Sequence, residues 1–190
     1  MKARANTLLT TVRGYLLIWV GVLATLTMLL LLLALVCVSA AWATTFTVTN
    51  TNDSGPGSLR AAIEQANANA GADAIVFADG VSGTITLSST FSKVTDPAGL
   101  TIDGGGDVTV SCNDAAQVFV VGQGARLDLR NLTVSGGGPT SFEDQSGGGI
   151  FNEGGKLVVT DSTISGNDSG FSGGGIFNAE GGRVEVAGSR

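Results

Sequence analysis

The sequence contains no histidine, few aromatic residues and only two cysteines. The absence of histidine excludes histidine-based catalytic triads, histidine metal sites and histidine pH switches. Two cysteines cannot build a disulfide scaffold. Charged residues make up only 14% of the chain and the formal net charge is −6, so a basic surface for nucleic-acid phosphates is not expected. We therefore expect no nucleic-acid partner.

The first 43 residues have the three parts of a secretory leader. Residues 1–14 carry three basic residues and no acidic one, residues 15–38 are uncharged, and the small residues Ala41 and Ala43 follow. A basic start, an apolar run and an A-x-A ending are typical of a signal peptide. This pattern predicts cleavage after Ala43 and export of the remaining chain.

The length of the apolar run leaves a second interpretation open. Residues 15–38 are numerous enough to span a bilayer as a helix, so an uncleaved N-terminal membrane anchor is the alternative. In both cases the basic flank stays on the cytoplasmic side and everything after Ala43 lies outside. The sequence therefore predicts a secreted or cell-surface protein, either free or held in the membrane through residues 15–38.

The second half of the chain contains an internal repeat. The hexapeptide Gly-Gly-Gly-Ile-Phe-Asn occupies residues 147–152 and returns at residues 173–178. Each copy is followed by a glycine pair, a basic residue and a short strand with alternating apolar positions, Leu157–Val159 and then Val184–Val186, and Leu127–Leu129 is an earlier copy of that strand. Short strands that recur without helices between them predict a parallel β-solenoid.

In a solenoid, equivalent residues of successive coils stack about 4.8 Å apart. Three stacked pairs are therefore expected. Ile150 should stack on Ile176 inside the coils, and Phe151 on Phe177 as a structural aromatic stack. Asn152 and Asn178 should form an amide ladder at a corner. The alternative is an antiparallel sandwich of similar hairpins. A sandwich does not require the same hexapeptide to recur in register.

One segment has the spacing of a helix. Apolar residues after Ser58 recur at helical intervals and predict an amphipathic helix over residues 58–70, with Ser58 as its N-cap and Leu59 and Ile63 on its buried face. The first coil of a solenoid has an open core and an unpaired edge, so we expect this helix to cap it. Arg60 and Glu64 are interpreted as solvent-exposed helix charges.

Four segments of the chain carry a family resemblance: FTVTNTND at 46–53, GSLRAAI at 57–63, ANA at 66–68 and IVF at 75–77. Together they resemble the CSLREA-type N-terminal domain, which begins many bacterial surface proteins with a right-handed parallel β-helix. The resemblance covers about residues 45–90. It departs from the motif that names the family at Gly57, where cysteine is usual, and at Ala61, where glutamate is usual.

The repeats at 147–152 and 173–178 are similar to those of polymorphic outer-membrane and pectate-lyase-like β-helix proteins. The resemblance implies an all-β, right-handed parallel β-helix with a short N-terminal capping helix behind the leader. The expected divisions are a signal peptide or anchor at 1–43, a cap region at 44–90 and β-helix coils at 91–190. Because the last residues begin a coil and stop, we interpret the chain as a shortened member of a longer family.

Proteins of this kind are mostly surface or adhesin-like, and a minority cleave polysaccharides. We therefore expect a structural, adhesin-like or binding role, with a cell-surface polysaccharide or protein as the partner and no cofactor. The alternative is a polysaccharide lyase or glycoside hydrolase. That chemistry needs carboxylates that converge across a groove, or that hold calcium beside a proton-accepting residue.

The candidates for such chemistry are few. Asp128, Asp161 and Arg130 are the catalytic candidates, and Asp103 and Asp107 beside a glycine turn are the candidates for calcium, because that turn matches part of a calcium-binding repeat. Outward charges on strands are usually a solvated surface. Sugar sites commonly use tryptophan or tyrosine, neither of which occurs after the leader. The sequence therefore identifies no catalytic site.

Overall fold

The computed structural model describes residues 19–28, 42–138, 146–170 and 172–190. The chain divides into two units, residues 1–40 and residues 41–190. In the first unit residues 19–28 are helical, and residues 1–18 and 29–41 of the predicted leader lie outside the described residues. Across the described parts of the chain, no helix has the length and apolar character needed to cross a membrane.

The second unit consists of short strands and one helix among its described residues. In chain order the elements are β1 (Thr45–Val48), α1 (Leu59–Ala68), β2 (Asp73–Phe77), β3 (Gly83–Thr86), β4 (Leu100–Ser111), β5 (Phe119–Val121), β6 (Arg126–Ser135), β7 (Ile150–Asn152), β8 (Lys156–Thr160), β9 (Thr163–Ser165), β10 (Ile176–Asn178) and β11 (Arg183–Ala187).

The strands form two parallel sheets. The larger sheet has the order β1-β2-β4-β6-β8-β11, with β3 paired to β4 and β9 paired to β6, and the smaller has the order β10-β7-β5. Each strand pairs with its counterpart one coil further along the chain, which gives a parallel β-solenoid of about five turns. The predicted solenoid is confirmed, and the alternative of an antiparallel sandwich is wrong.

The pairing register follows the sequence repeat. Ile176 pairs with Ile150, and the next two residues of the hexapeptides pair in the same register. Leu127, Leu157 and Val184 occupy one position on three successive coils. Insertions between copies are therefore accommodated in the connections and leave the strands aligned.

The core is a single apolar cluster that extends through the coils. Leu127 and Leu129 are fully buried, as are Leu157 and Val159 at the matching positions of the next coil. Alternate residues of a strand point to opposite faces, so each coil contributes the same inward positions. The core is continuous because the register keeps these positions aligned.

Helix α1 packs its apolar face onto this core. Ser58 accepts a hydrogen bond from the backbone N–H of Ala61, as an N-cap does, and Leu59 and Ile63 are fully buried. The helix contacts β1 and β2, the first two strands in the order of the larger sheet. The segment around α1 is thus held by side chains and not by strand pairing alone.

Left-handed backbone occurs within β6 and directly after β8. Asn131 and Asp161 have φ values of 51° and 49°, and both residue types tolerate this conformation better than most. Residues 104–107, expected to be a turn between two strands, instead form a bulge within β4, because Asp103 pairs with Arg130 while Val108 pairs with Leu132. The inserted glycines supply the positive φ values that the bulge requires.

Candidate functional site

A shallow cleft of about 350 Å³ lies at the start of three neighbouring strands of the larger sheet, β6, β8 and β11. Its side-chain wall consists of Arg126, Lys156 and Arg183, which occupy one register position on β6, β8 and β11. We call these three residues the basic column. Each is the first residue of its strand and follows a turn of small residues. The cleft therefore combines positive side chains with a small-residue floor.

The floor of the cleft is formed at a corner where side chains do not fit. Gly155 lies where an added Cβ would come within 2.6 Å of the carbonyl oxygen of Gly122 and 2.7 Å of that of Ala125. An added Cβ at Gly182 would collide with the side-chain amides of Asn152 and Asn178. Glycine at these positions lets neighbouring coils approach closely.

The amide ladder fixes the same corner. Asn152 is fully buried, and its Nδ2 donates to the Asn178 Oδ1 at 2.6 Å and to the Gly155 carbonyl at 3.0 Å. The Gly155 N–H donates to the Asn152 Oδ1 at 2.9 Å, and the Asn178 Nδ2 donates to the Gly182 carbonyl. The rings of Phe151 and Phe177 stack beside it with centroids 5.6 Å apart. These contacts hold together the corners that precede Lys156 and Arg183.

Two carboxylates face the basic column. Arg126 donates two hydrogen bonds to Asp128, Nε to Oδ1 at 3.0 Å and NH2 to Oδ2 at 2.7 Å, and Arg130 lies 3.6 Å from the same carboxylate. The bidentate contact with Asp128 raises the pKa of the Arg126 guanidinium. The three residues of the basic column and Arg130 therefore share two carboxylates, those of Asp128 and Glu185. This group of six side chains carries a net positive charge.

The second carboxylate, Glu185, joins the second and third members of the column, Lys156 and Arg183. Its Oε1 lies 3.2 Å from the Lys156 Nζ and 2.9 Å from NH2 of Arg183. The hydrogen bond from Lys156, followed by the charges of both cations, lowers the pKa of Glu185. The side chain of Arg183 is 73% exposed, so it is open to a ligand despite this contact.

The catalytic candidates are only partly brought together. Asp128 and Arg130 lie on β6 and approach each other, and Asp128 is buried beneath the arginines. Asp161 lies at a corner after β8, one residue beyond the pair of Arg130 with Thr160. Among the described residues, Asp128 is thus engaged in ion pairs and Asp161 stands at a different position of the coil.

The calcium candidates lie at the bulge of β4. Asp103 accepts hydrogen bonds from the N–H of Gly105 and from the Nδ2 of Asn131, both at 3.0 Å, so its Oδ1 is used in shaping the corner. Asp107 is exposed. Within residues 19–28, 42–138, 146–170 and 172–190, no three acidic, cysteine or histidine side chains form a group suited to a metal ion.

The interpretation of Arg60 as a solvated helix charge is wrong. Its side chain is only 14% exposed and donates a hydrogen bond to Asp53 at 2.6 Å. It also donates to the carbonyls of Ser89 and Thr90. The guanidinium carbon lies 5.1 Å from the centre of the Phe91 ring. Glu64 is exposed, as expected. Arg60 therefore fastens α1 to the connections on either side.

Asp53 completes this clamp. Burial raises the pKa of Asp53, but hydrogen bonds from Ser88 and Arg60 outweigh it, and the pKa is lowered overall. The carboxylate is therefore held in its charged form, with the Ser88 N–H and hydroxyl on Oδ2 and Arg60 on Oδ1. We refer to Asp53 and Arg60 as the clamp.

The basic column is hard to recognise in the sequence. Lys156 and Arg183 are visible as the basic residue after each glycine pair, but the first repeat lacks that pair and has Gly124 and Ala125 before Arg126. Alignment of the three strands reveals the column, because the residue before Leu127, Leu157 or Val184 is always basic. Comparison of the chain with protein-family models, with curated proteins and with solved structures gives no match.

Proposed function

We propose that this chain is an exported β-helix protein of the bacterial surface or its surroundings that binds an acidic polysaccharide along the basic column. The proposal includes the finer expectations from the resemblance: a leader removed after Ala43, a right-handed coil, a CSLREA-type start and α1 as the cap of the first coil. The location of α1 on β1 and β2 supports the last of these.

The observation that carries the binding proposal is the register of Arg126, Lys156 and Arg183. Neighbouring strands lie about 4.8 Å apart, so the three cations form a row with that repeat along the axis of the solenoid. A linear chain of uronic acid sugars presents carboxylates at a regular spacing and can lie along such a row. The cations can be shared with the ligand because Asp128 and Glu185 compensate only part of their charge.

The charge of the rest of the molecule argues for a local site. The chain carries a net charge of −6, so a polyanion is repelled from most of its surface. Binding of such a polymer would therefore depend on the column itself. It would also weaken with added salt, because exposed charges are screened over about 8–10 Å at ordinary ionic strength.

Isothermal titration calorimetry with oligomers of galacturonic acid tests this proposal, with neutral dextran oligomers as the matched polymer. The variant K156Q/R183Q removes two cations while leaving the buried Asp128 paired with Arg126. The control R190Q removes one exposed cation outside the cleft.

We expect saturable binding of the acidic oligomer, no binding of dextran, loss of about tenfold or more in affinity for K156Q/R183Q, and little change for R190Q. Equal binding by wild type and K156Q/R183Q would overturn the proposal, as would an absence of binding at low salt.

A further inference from the structure

A buried carboxylate lies at the start of the second unit, where the predicted leader would be cut. Asp73, the first residue of β2, is only 3% exposed. Its Oδ1 accepts hydrogen bonds from the backbone N of Thr44 at 2.9 Å and from the Nδ2 of Asn69 at 2.8 Å. Its Oδ2 is buried without a hydrogen-bond partner. One oxygen of this carboxylate is therefore satisfied and the other is not.

The unsatisfied oxygen needs an explanation, because a buried charged group without its hydrogen bonds is costly. In the uncut chain the Thr44 nitrogen presents a single donor, its amide N–H, and this already serves Oδ1. No basic side chain is within ion-pairing distance of Asp73 among the described residues. What the site lacks is one more donor and a positive charge.

Removal of the leader would supply both at the right atom. Hydrolysis of the bond between Ala43 and Thr44 by a signal peptidase adds water: the hydroxyl goes to the Ala43 carbonyl and the hydrogen to the Thr44 nitrogen. The new Ala43 acid releases its proton, and the new amine takes up a proton as an ammonium. The nitrogen that now holds one hydrogen then carries three, together with a positive charge.

We propose that the α-ammonium group of Thr44, created by removal of the leader, forms a buried ion pair with Asp73 and that this pair locks the first strand of the solenoid. This inference rests on the proposed export and cleavage after Ala43. The pair bridges both carboxylate oxygens, with Asn69 holding the carboxylate in place.

The surroundings of Thr44 favour this arrangement. The Thr44 carbonyl accepts a hydrogen bond from the N–H of Ala74, and its hydroxyl accepts one from Asn69, so its nitrogen is held at a fixed position. Trp42 and Ala43 are exposed, and their loss removes one long hydrogen bond, from the Nδ2 of Asn69 to the Trp42 carbonyl at 3.4 Å, while the bonds of Asn69 to Thr44 and Asp73 remain. Processing would thus leave the fold intact and complete the environment of Asp73.

The first measurement is made on the protein as a bacterial host exports and processes it. N-terminal sequencing identifies the first residue, and an amine-acylating reagent at neutral pH then measures the reactivity of its α-amino group. An ammonium held by a carboxylate keeps its proton, and the reagent needs the free amine. We expect Thr44 as the first residue and acylation about tenfold slower or more in the wild type than in D73N.

The second measurement separates an ion pair from a merely structural aspartate. A43L blocks cleavage, since the peptidase requires a small residue at this position. Unfolding is compared in one detergent for the cleaved and uncleaved proteins, each with and without the D73N substitution. D73N should lower the folding equilibrium constant of the cleaved protein on the order of 100-fold and that of the uncleaved protein less than about threefold. D79N, at an exposed site, is the control.

The outcomes separate the two proposals. A first residue other than Thr44 overturns the proposed processing and this inference with it. If Thr44 is the first residue, two results would overturn only the ion pair. The first is an amine that reacts equally fast in wild type and D73N, and the second is an equal effect of D73N on stability before and after cleavage. If D73N does not accumulate, the reactivity of the wild-type amine in native buffer and in concentrated guanidinium chloride decides: equal rates overturn the ion pair.

Discussion

Two regions of the solenoid are held together by different means. The N-terminal region, residues 44–98, has little sequence repetition and depends on α1, the clamp and the buried carboxylate of Asp73. The repeat region, residues 126–187, depends on identical residues in register, glycine corners and the amide ladder. Both build parallel coils of the same sheet.

The difference shows what a sequence repeat does and does not specify. Repetition fixes which backbone positions pair, since Ile150 and Ile176 are aligned in the same way as the hexapeptides are. It does not fix burial, because Ile150 is fully buried while Ile176 is only partly buried. In the N-terminal region the reverse holds: no repeat sets the pairing, and burial is complete at Leu59 and Ile63.

The largest expected difference is between a fully buried core position of the N-terminal region and a partly buried one of the repeat region. Ile63→Ala removes a fully buried side chain from α1, and we expect a loss of about 3 kcal/mol in the free energy of unfolding. Ile176→Ala removes the same groups from a partly buried position in the repeat region, and we expect less than half of that loss. Guanidinium chloride denaturation followed by circular dichroism measures both.

This pair of variants tests the comparison directly. Equal losses would mean that the coils share stability regardless of local burial. Ile150→Ala, at the fully buried position in register with Ile176, serves as the internal control and should resemble Ile63→Ala.

A smaller difference is expected between two arginines in short ion pairs. Arg60→Gln breaks the clamp, where a largely buried guanidinium holds Asp53 and two carbonyls, and we expect a loss of about 2 kcal/mol. Arg183→Gln removes a contact of similar length to Glu185 from a 73% exposed side chain, and we expect less than about 0.5 kcal/mol. Thermal and chemical denaturation of the two variants provide the comparison.

Acidification gives an independent check on the clamp. The pKa of Asp53 is lowered overall in the folded protein, so its contribution to stability is present above the ordinary aspartate pKa and is lost as the pH falls through the lowered value. Arg60→Gln should lose less stability than wild type as the pH falls. If Arg60→Gln is as stable as wild type at neutral pH, the clamp contributes nothing to stability.

The parts of the fold that could be predicted from sequence are those with local or repeated signals. The hexapeptide spacing predicts the stacking of β7 and β10, and the apolar spacing after Ser58 predicts a helix close to the observed bounds of α1. The bulge at residues 104–107 could not be predicted. Its four consecutive turn-forming residues have the sequence of a turn, and nothing in them shows that the strand continues beyond them in the same ladder.

The parts that could not be predicted depend on contacts between distant residues. Arg60 has the sequence context of a solvated helix residue, and only the fold brings Asp53, Ser89 and Phe91 around it. The basic column requires three strands to be aligned, and its first member lacks the glycine pair that marks the other two. Asp73 has the context of an ordinary residue before a strand, because its burial arises from the segment at Thr44.

The smallest expected effect concerns a thiol between the two regions. Cys112 directly follows β4, is fully buried, and has its Sγ 3.4 Å from the Gln117 carbonyl that it can donate to. Burial raises the pKa of the Cys112 thiol to about 11 from 9.0. The folded protein therefore retains a proton that the unfolded chain loses between pH 9 and about 11, and the stability this provides is complete below pH 9 and declines above it.

We expect wild type to lose about 1 kcal/mol more than Cys112→Ala between pH 8 and pH 10, measured by denaturation at each pH. The difference between the two proteins isolates the thiol, because lysine and other alkaline groups titrate equally in both. The native thiol should also resist a disulfide reagent at pH 8 and react once the protein is unfolded. Parallel pH profiles for the two proteins, or rapid reaction in the native state, would place Cys112 in a solvated site and would mean that the coils on either side of it are not tightly closed.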